Sequence, residues 1–412
     1  NDLQRTGQFA SMPVADMPSL PSSFPMVNFK DWRLLGIENI LIGRILQGGE
    51  KGGLVIEFRL LDVFRGSQLL GFQVPAAPNN LRWSAHYVAD LVYEELTGRR
   101  GAFGTRIVYV KSGKRVDGAN LYSLQVADSD GYEAREIFQS SEPLLSPEWS
   151  PDGEALVYVS FERKNSAIYL QDLGSGSREE IISSEGLNSS PAWSPDGRRL
   201  AFTSSRDGNP EIYIYNFTTK ISQRLTHHPA IDTEASWSPD GTSIVFTSDR
   251  GGGPQIYAMA LSSTVPKRLT FKMGNYNARA RFSPDGKNLI LVNGWERGYR
   301  LGLFDMEKRI FRAMTSGRLD ESPSFSPNGV MLIYAATGAA VGLPLTGHSS
   351  NNPKCTCQHF DEDGDETYEA DPQCPVTGHT GYVPAPPCSA HFQSRFVCSL
   401  SSDAQHCLER RV

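Results

Sequence analysis

The sequence predicts a mainly β protein in which a small α/β domain precedes a six-bladed β-propeller. Three observations lead to this prediction. A Ser-Pro-Asp-Gly turn recurs at a near-constant spacing, several short β-rich runs fill each period, and the first hundred residues do not repeat. A period of about 40–45 residues with four strands is typical of a propeller blade.

The turn motif defines the period. It begins at Ser150, Ser194, Ser238 and Ser283, and a fifth copy at Ser326 has Asn in place of Asp. The spacings are 44, 44, 45 and 43 residues, and a Trp or Phe precedes every copy. Proline fixes φ and glycine accepts a positive φ, so the motif has the chemistry of a tight turn between strands. We expect the turns and the aromatic residues to serve packing.

The strand that follows each turn gives the number of blades. Arg106–Val110 matches this strand without a preceding turn, so the first blade lacks its inner strand. A closed ring would take that strand from the far end of the chain, which leaves the last blade and the closure open at this stage. The six blades occupy residues 101–337 and start near residues 106, 156, 200, 244, 288 and 331.

Residues 1–100 predict the separate α/β domain. Asn28 can cap a short helix, and Ile37–Leu46 alternates like a strand. Leu54–Phe64 and Gln68–Val74 predict a strand pair, and the apolar residues from Leu81 to Leu96 follow helical spacing.

The composition excludes several classes of protein. A net charge of −6 over 412 residues gives no reason to expect a nucleic-acid ligand. No apolar run reaches the roughly 18 residues that a membrane span requires. Residues 1–354 contain no cysteine, which suits an oxidising compartment. The chain opens without Met or an apolar leader, so we expect any signal peptide to have been removed or never included.

Four segments of the first hundred residues, combined with the propeller motif, resemble the TolB family over about residues 1–337. The resemblance implies a periplasmic component of the Tol-Pal system that binds the lipoprotein Pal and the inner-membrane protein TolA. It also implies a role in outer-membrane integrity and cell division, and use of the same surface by colicin-type bacteriocins. The four segments are Asn1–Phe9, Trp32–Asn39, Phe58–Arg65 and Ala89–Gly98.

The sequence departs from the family pattern at both ends. The family has a strand upstream of the segment that starts at Asp2, and its extreme N-terminus contacts TolA, so we expect impaired TolA binding here. After Thr337 the family completes the sixth blade and adds a closing strand, and residues 338–412 are expected to offer neither. We hypothesise that this tail comes from a shifted reading frame, which reading the other two frames of the gene past codon 337 would test.

The tail is Cys-rich and irregular, and it holds all six cysteines and five of the eight histidines. Cys355, Cys357 and His359 are ligand types for a metal but lack the paired spacings of structural zinc sites. Asp361–Asp365 falls short of the calcium-loop pattern. We favour an unstructured polar tail over a metal or disulfide module.

Enzyme motifs are missing from the sequence. Gly347–Asn351 only approaches the Gly-x-Ser-x-Gly of hydrolases, and neither the zinc-peptidase nor the phosphate-loop motif occurs. The pair His227 and His228 has too few further ligands nearby for a metal site, which favours a solvated loop or a protein contact. We therefore predict a non-enzymatic protein without cofactor or metal.

The loops that lead into the inner strands vary from blade to blade, whereas the turns do not. Because every blade presents the same loop to the same face, these loops collect at one mouth of the central channel. We predict that this mouth binds a protein, with a sensor or accessory propeller that binds a small ligand or peptide as the alternative function. Ordinary solvated loops are the alternative at each single position. The predicted binding residues are Asn188, Ser189, His228, Asp232, Thr233, Glu234, Asn275, Asn277, Arg279, Asp320 and Glu321.

Overall fold

The computed structural model describes residues 2–48, 53–295 and 298–336, and the backbone of four strands at 339–344, 356–360, 366–370 and 394–400. These residues divide into two compact units. The first holds the chain up to Thr105 together with the strand Ser394–Leu400, and the second starts at Arg106.

The first unit is a small α/β domain. Its five-stranded sheet has the order β1, Ser394–Leu400, β2, β3, β4, and the inserted strand runs parallel to both of its neighbours. Its elements are α1 (Asp2–Arg5), β1 (Phe9–Ser11), two 3-10 turns (Val14–Asp16 and Phe24–Met26), α2 (Phe29–Leu34), β2 (Asn39–Gln47), β3 (Leu54–Asp62), β4 (Ser67–Ala76) and α3 (Leu81–Thr97).

Local capping interactions determine where the helices of this domain begin and end. The side chain of Asn28 accepts a hydrogen bond from the backbone of Lys30 and caps α2. Trp32 of α2 is fully buried in a cluster that includes Ile40 of the sheet. Helix α3 stops at Gly98, which adopts a left-handed φ of 69° that a residue with a Cβ adopts only at a cost.

The second unit contains six consecutive antiparallel sheets, one for each blade of the propeller. In the described residues, blades 2 to 5 have four strands, and blades 1 and 6 have three. In chain order the strands are β5 (Arg106–Lys114), β6 (Asn120–Asp128), β7 (Arg135–Ser140), β8 (Leu144–Trp149), β9 (Ala155–Arg163), β10 (Asn165–Asp172), β11 (Arg178–Ile182), β12 (Asn188–Trp193), β13 (Arg199–Ser204), β14 (Glu211–Asn216), β15 (Ile221–Arg224), β16 (Asp232–Trp237), β17 (Ser243–Ser248), β18 (Gln255–Ala260), β19 (Lys267–Arg268), β20 (Asn277–Phe282), β21 (Asn288–Trp295), β22 (Gly298–Asp305), β23 (Phe311–Ala313), β24 (Glu321–Phe325), β25 (Met331–Ala336) and β26 (Ala339–Pro344).

Strand β26 corrects one sequence expectation. It joins β24 and β25 as the third strand of blade 6, so residues after Thr337 do extend that blade. A further hairpin joins Thr356–Phe360 to Glu366–Ala370. The side chains of residues 338–412 lie outside the described residues, and so do the metal, disulfide and reading-frame interpretations of the tail.

The hydrophobic core of the propeller lies between neighbouring blades. One cluster joins Ala192 and Ile212 of blade 3 to Trp237 and Phe246 of blade 4, and the same arrangement recurs between blades 2 and 3 and between blades 4 and 5. The indole nitrogen of Trp237 also donates to the carbonyl oxygen of Ala192 at 3.0 Å, which links two inner strands. Each blade is therefore buried by its neighbours.

The Ser-Pro-Asp-Gly turns form the predicted tight connections. In the second blade, the Ser150 hydroxyl bonds to Asp152, whose carboxylate also accepts from the backbone of Glu154, and Gly153 has a φ of 74°. The Ser150 hydrogen bond holds the pKa of Asp152 below its ordinary value, and the same contact lowers the pKa of Asp196 and Asp240. In the fifth turn Asn328 accepts the bond from Ser326 at 2.6 Å, so an uncharged residue can fill the position.

These turns predict a specific acid dependence of stability. A carboxylate whose pKa is lower in the folded chain than in the unfolded chain stabilises the folded state at any pH above its unfolded pKa of about 3.9. This stabilisation is lost as the pH falls through the pKa of the folded state. The triple variant Asp152→Asn, Asp196→Asn, Asp240→Asn should therefore lose less stability between pH 6 and pH 3 than the wild-type chain. Urea unfolding at a series of pH values measures this.

The control replaces three exposed aspartates outside the turns, Asp16→Asn, Asp31→Asn and Asp117→Asn, and removes the same number of charges. Equal acid dependence in the turn variant and the wild-type chain would contradict the prediction.

Candidate functional site

Every described inner strand contains a bulge at the same place. The pairing with the next strand shifts register after the second residue of β8, β12, β16 and β20, and after the first residue of β24. The residue at the shift has a left-handed backbone in all five strands, with φ between 49° and 58°. We call these five the bulge residues: Ser146, Ser190, Glu234, Arg279 and Ser322.

A left-handed backbone costs a residue with a Cβ about 1–2 kcal/mol. Other interactions must therefore offset this cost in each of the five blades. In two blades the bulged N–H finds an acceptor on the preceding blade. Glu234 donates to the Thr203 hydroxyl at 3.3 Å, and Arg279 donates to the Thr247 hydroxyl at 3.0 Å. In the other three blades the bulge residue is a serine followed by proline. Bulges of this kind re-aim side chains and are common beside functional sites.

The bulge residues of blades 4, 5 and 6 form a charged cluster. The guanidinium of Arg279 pairs with Glu234 of blade 4, with Glu321 of blade 6 at 3.5 Å, and with the Ser322 hydroxyl at 2.8 Å. Burial disfavours the charge on Arg279, but the carboxylates outweigh this effect and raise its pKa. Thr247 orients Glu234 through a further hydrogen bond of 3.0 Å. The cluster is therefore held in one arrangement before any partner binds.

Deeper along the inner strands an ion pair crosses the propeller axis. Glu148 of blade 2 contacts Arg281 of blade 5 at 3.3 Å, although these blades lie three positions apart in a ring of six. The Glu148 carboxylate also accepts from the backbone N–H of Trp193, and Arg281 donates to the carbonyl oxygen of Ala235. Burial raises the pKa of Glu148 against the opposing effect of Arg281. The pair joins the inner strands of two opposite blades, two residues along the strand from the bulge residues Ser146 and Arg279.

Four predicted binding residues are the first residues of the inner strands, or the residue just before one, and the structure buries them. Asn188 donates to the carbonyl oxygens of Ser184 and Ser166, and Asp232 pairs with Arg250 at 2.6 Å. Asn277 donates to Gln255 and Met273, and Asp320 accepts from the backbone of Gly317. We call Asn188, Asp232, Asn277 and Asp320 the strand anchors, because their side chains face the protein interior.

Directly before each strand anchor lies a large apolar residue. Leu187, Ile231 and Leu319 are 39%, 46% and 46% exposed, and Tyr276 packs against Tyr299 with ring centroids 4.9 Å apart. Backbone hydrogen bonds fix these loops to the neighbouring hairpins, for example from Ser205 to the carbonyl oxygen of Leu187. We call Leu187, Ile231, Tyr276 and Leu319 the mouth rim. It places apolar surface in the same blades as the charged bulge residues, an arrangement that suits a protein partner.

Comparison with known proteins agrees with this architecture. The family model of the TolB beta propeller domain matches residues 93–349, and that of the TolB amino-terminal domain matches residues 1–69. The Tol-Pal system protein TolB of Xanthomonas oryzae pv. oryzae (strain PXO99A) is 56% identical over 345 residues, which is 83% of this chain and 78% of that protein.

The chain belongs to the TolB family.

Further relatives agree with this assignment. The TolB protein of Xanthomonas campestris pv. campestris (strain B100) is 55% identical over 344 residues, with 83% of this chain and 78% of that protein covered. The crystal structure of TolB from Acinetobacter baumannii superposes with a TM-score of 0.76 at 39% identity, covering 89% of this chain and 87% of that one. The chain is thus a component of the Tol-Pal system. None of its described helices is long and apolar enough to cross a membrane.

The other predicted binding residues lie in the inner strands or in the loops that lead into them. Ser189 and Thr233 are half-buried beside the bulges, and Glu321 contacts Arg279. Asn275 is exposed in the loop before β20. His228 is half-buried, where its backbone donates to Glu211 and its ring nitrogen Nδ1 accepts from Ala230.

Sequence reasoning missed the mouth rim and three bulge serines. The sequence nevertheless contained a repeating signal for both sets of residues. Leu187, Ile231 and Leu319 repeat at the spacing of the turns, and three of the five inner strands carry a Ser-Pro pair four residues before the turn motif. The serines missed are Ser146, Ser190 and Ser322.

The bulge geometry predicts opposite responses to two substitutions of the exposed Ser146. Ser146→Val places a β-branched side chain at a φ of 49° and should lower the free energy of unfolding by about 1–2 kcal/mol. Ser146→Gly accepts this backbone without strain, so it should change stability by less than about 1 kcal/mol. Urea unfolding of both variants measures the difference. If valine and glycine give the same midpoint, the bulge is not strained.

Proposed function

We propose that this TolB-family chain is a non-enzymatic periplasmic protein that docks the lipoprotein Pal at the propeller mouth. Through this contact it supports outer-membrane integrity and cell division. The observation that carries the proposal is the mouth itself, where the apolar mouth rim lies beside a preorganised charged cluster on the described inner strands.

The chemistry of the mouth favours a protein over a small molecule. Protein interfaces combine a few exposed apolar anchors with charged groups that set orientation. Here the apolar residues recur in blades 3 to 6, and the charged groups lie in blades 4 to 6. The Glu148–Arg281 pair, at 3.3 Å, further links the inner strands of two opposite blades beneath the bulge residues. We further propose that TolA and colicin-type bacteriocins are partners of the same protein, with the bacteriocins competing for the mouth.

The charged cluster predicts a loss of binding on charge reversal. Arg279→Glu removes the only cation of the described bulge residues and places a third carboxylate beside Glu234 and Glu321. The affinity for the soluble domain of Pal should fall at least tenfold, which corresponds to about 1.4 kcal/mol. Isothermal titration calorimetry measures this change.

Arg198→Glu is the matched control for Arg279→Glu. Arg198 is exposed on a Ser-Pro-Asp-Gly turn, at the other end of the inner strand from the mouth, so its reversal should leave the affinity unchanged. Equal affinities of both variants for Pal, with both chains folded by thermal melting, would exclude the mouth as the docking site.

The mouth rim predicts a second loss of binding. The double variant Ile231→Asp, Leu319→Asp replaces two exposed apolar side chains by charged ones, in the two blades next to that of Arg279. We expect the affinity for Pal to fall tenfold or more, because apolar anchors at an interface centre carry much of the binding energy. Surface plasmon resonance should show the change mainly in the dissociation rate.

The control for the rim is Ile221→Asp, since Ile221 is 65% exposed on the outer strand β15, away from the mouth. A Pal dissociation rate that rises as much with Ile221→Asp as with the double variant would contradict the proposal.

A further inference from the structure

Strand β4 forms one edge of the five-stranded sheet in the first unit. In the part of the chain that the structure describes, it pairs with β3 on one side and with no strand on the other. The described strands after residue 338 all pair elsewhere, in blade 6, with each other, or with β1 and β2. Half of the backbone N–H and C=O groups of β4 therefore point away from the sheet.

The sequence of β4 does little to protect this edge. Proteins commonly place charged side chains, above all lysine, on an edge strand, which keeps other chains from pairing with it. Over its ten residues, Ser67–Ala76, β4 has no charged side chain, and its proline lies next to its end. The edge is thus open to an extended polypeptide.

The two faces of β4 differ in chemistry. The face that carries Phe58 of β3 and Val74 of β4 packs into the protein, since both residues are buried. Phe72 lies on this core face and contacts Phe58, with ring centroids 6.2 Å apart, but is itself 49% exposed. The opposite face carries Arg59 and Gly71, which pair directly. An apolar side chain beyond the edge would cover the exposed part of Phe72.

The side chain of Arg59 extends over Gly71 of the edge strand. A Cβ placed on Gly71 would lie 3.4 Å from Cγ of Arg59 and 2.7 Å from Nε2 of Gln68. Both side chains therefore occupy the space that a residue other than glycine would fill. The Arg59 guanidinium donates to Gln68 and to Glu57, each at 3.2 Å, and the Arg59 side chain is still 43% exposed. Glycine at this position lets a cation from β3 approach the edge.

The charges on this face leave a positive excess. Glu57 accepts hydrogen bonds from both Arg44 and Arg59, and the bond from Arg44 holds the pKa of Glu57 below its ordinary value. Two guanidinium groups thus share one carboxylate. A guanidinium has five N–H donors, and Arg59 makes two hydrogen bonds to the described residues. A second carboxylate would find both an unmatched charge and donors to bind.

We propose that the open edge of β4 binds an extended segment of another protein, which adds to the sheet as a further strand and places an acidic side chain opposite Gly71. The carboxylate pairs with Arg59 across the glycine. The residues directly before and after the acidic one lie on the core face, beside Phe72. The preferred sequence is therefore apolar-acidic-apolar, in either strand direction. This site belongs to the first unit and uses none of the mouth residues.

A second copy of this chain fits the edge less well. Pairing of β4 with another β4 would bring no carboxylate to Arg59, because the strand contains neither Asp nor Glu. The unmatched charge favours a different polypeptide over a symmetric dimer.

A synthetic peptide tests the edge directly. The fluorescently labelled peptide Lys-Thr-Val-Thr-Val-Glu-Val-Thr-Val-Lys alternates apolar and polar residues and carries one central carboxylate. Fluorescence anisotropy with the full chain should show saturable binding, and the binding should weaken about fivefold when the Glu is replaced by Gln. Hydrogen exchange should slow at backbone amides within residues 67–74 when the peptide is bound.

Charge reversal tests the contact with Arg59. Arg59→Glu should bind a peptide with a central Lys more tightly than the peptide with a central Glu, which reverses the wild-type preference. Arg99→Glu, an exposed reversal in the same unit just after helix α3, is the matched control and should keep the wild-type preference. Each variant is first shown to melt at the wild-type temperature.

The mouth variant Arg279→Glu separates this site from the docking of Pal. It should bind the peptide as the wild-type chain does, whatever its affinity for Pal. Loss of peptide binding in this variant would place the peptide at the mouth and contradict the proposal.

Four further results would overturn it. They are absence of binding of the Glu peptide up to about 1 mM, which is weaker than a specific strand contact requires; binding without slowed exchange in β4; and equal affinity for the peptides with a central Glu and a central Lys. The fourth is a dimer of the wild-type chain in sedimentation velocity that Phe72→Lys abolishes, because that result would assign the edge to a second copy.

Discussion

Burial of apolar side chains between neighbouring blades is the interaction on which the propeller depends. A single blade of about 44 residues is a small sheet with two apolar faces, and it cannot cover either face by itself. Trp237 shows how the contact is made, since it fills the space against blade 3 and also donates a hydrogen bond to its inner strand. The radial arrangement, the axis and the mouth all follow from this repeated contact.

The inner strands use one repeated backbone for two purposes. Their strand anchors are polar yet buried, and their hydrogen bonds go to neighbouring loops and strands, so these side chains secure the loops. Two residues further on lies the bulge residue, and in blades 4, 5 and 6 its side chain joins the charged cluster. Structural and exposed positions thus lie side by side in the same strand, and both recur with the period of the turns.

Much of the fold could be predicted from the sequence because local chemistry determines it. The turns, helix α3 and the β3–β4 hairpin each depend on residues within a short stretch of chain, such as Gly98 at the end of α3. Strands β26 and Ser394–Leu400 carried no recognisable pattern, and Ser394–Leu400 pairs with β1 and β2 from the other end of the chain.

The candidate site was harder to predict. The bulges depend in part on hydrogen bonds to another blade, such as that from Arg279 to Thr247, and the axial pair joins Glu148 to a residue far along the chain. Polarity alone also suggested that Asn188 and Asp232 face solvent, whereas their internal partners bury them.

The five bulges have a consequence for how relatives of this protein diverge. Because the repeat and not the side chain sets the left-handed backbone, Ser, Glu and Arg all occupy the same geometry. A lineage can therefore change the side chains at these five positions by single-codon changes, without insertions and without redesigning the scaffold. Changes at Glu234, Arg279 and Ser322 are coupled through the contacts of Arg279, whereas no such contact joins Ser146 and Ser190 to that cluster among the described residues.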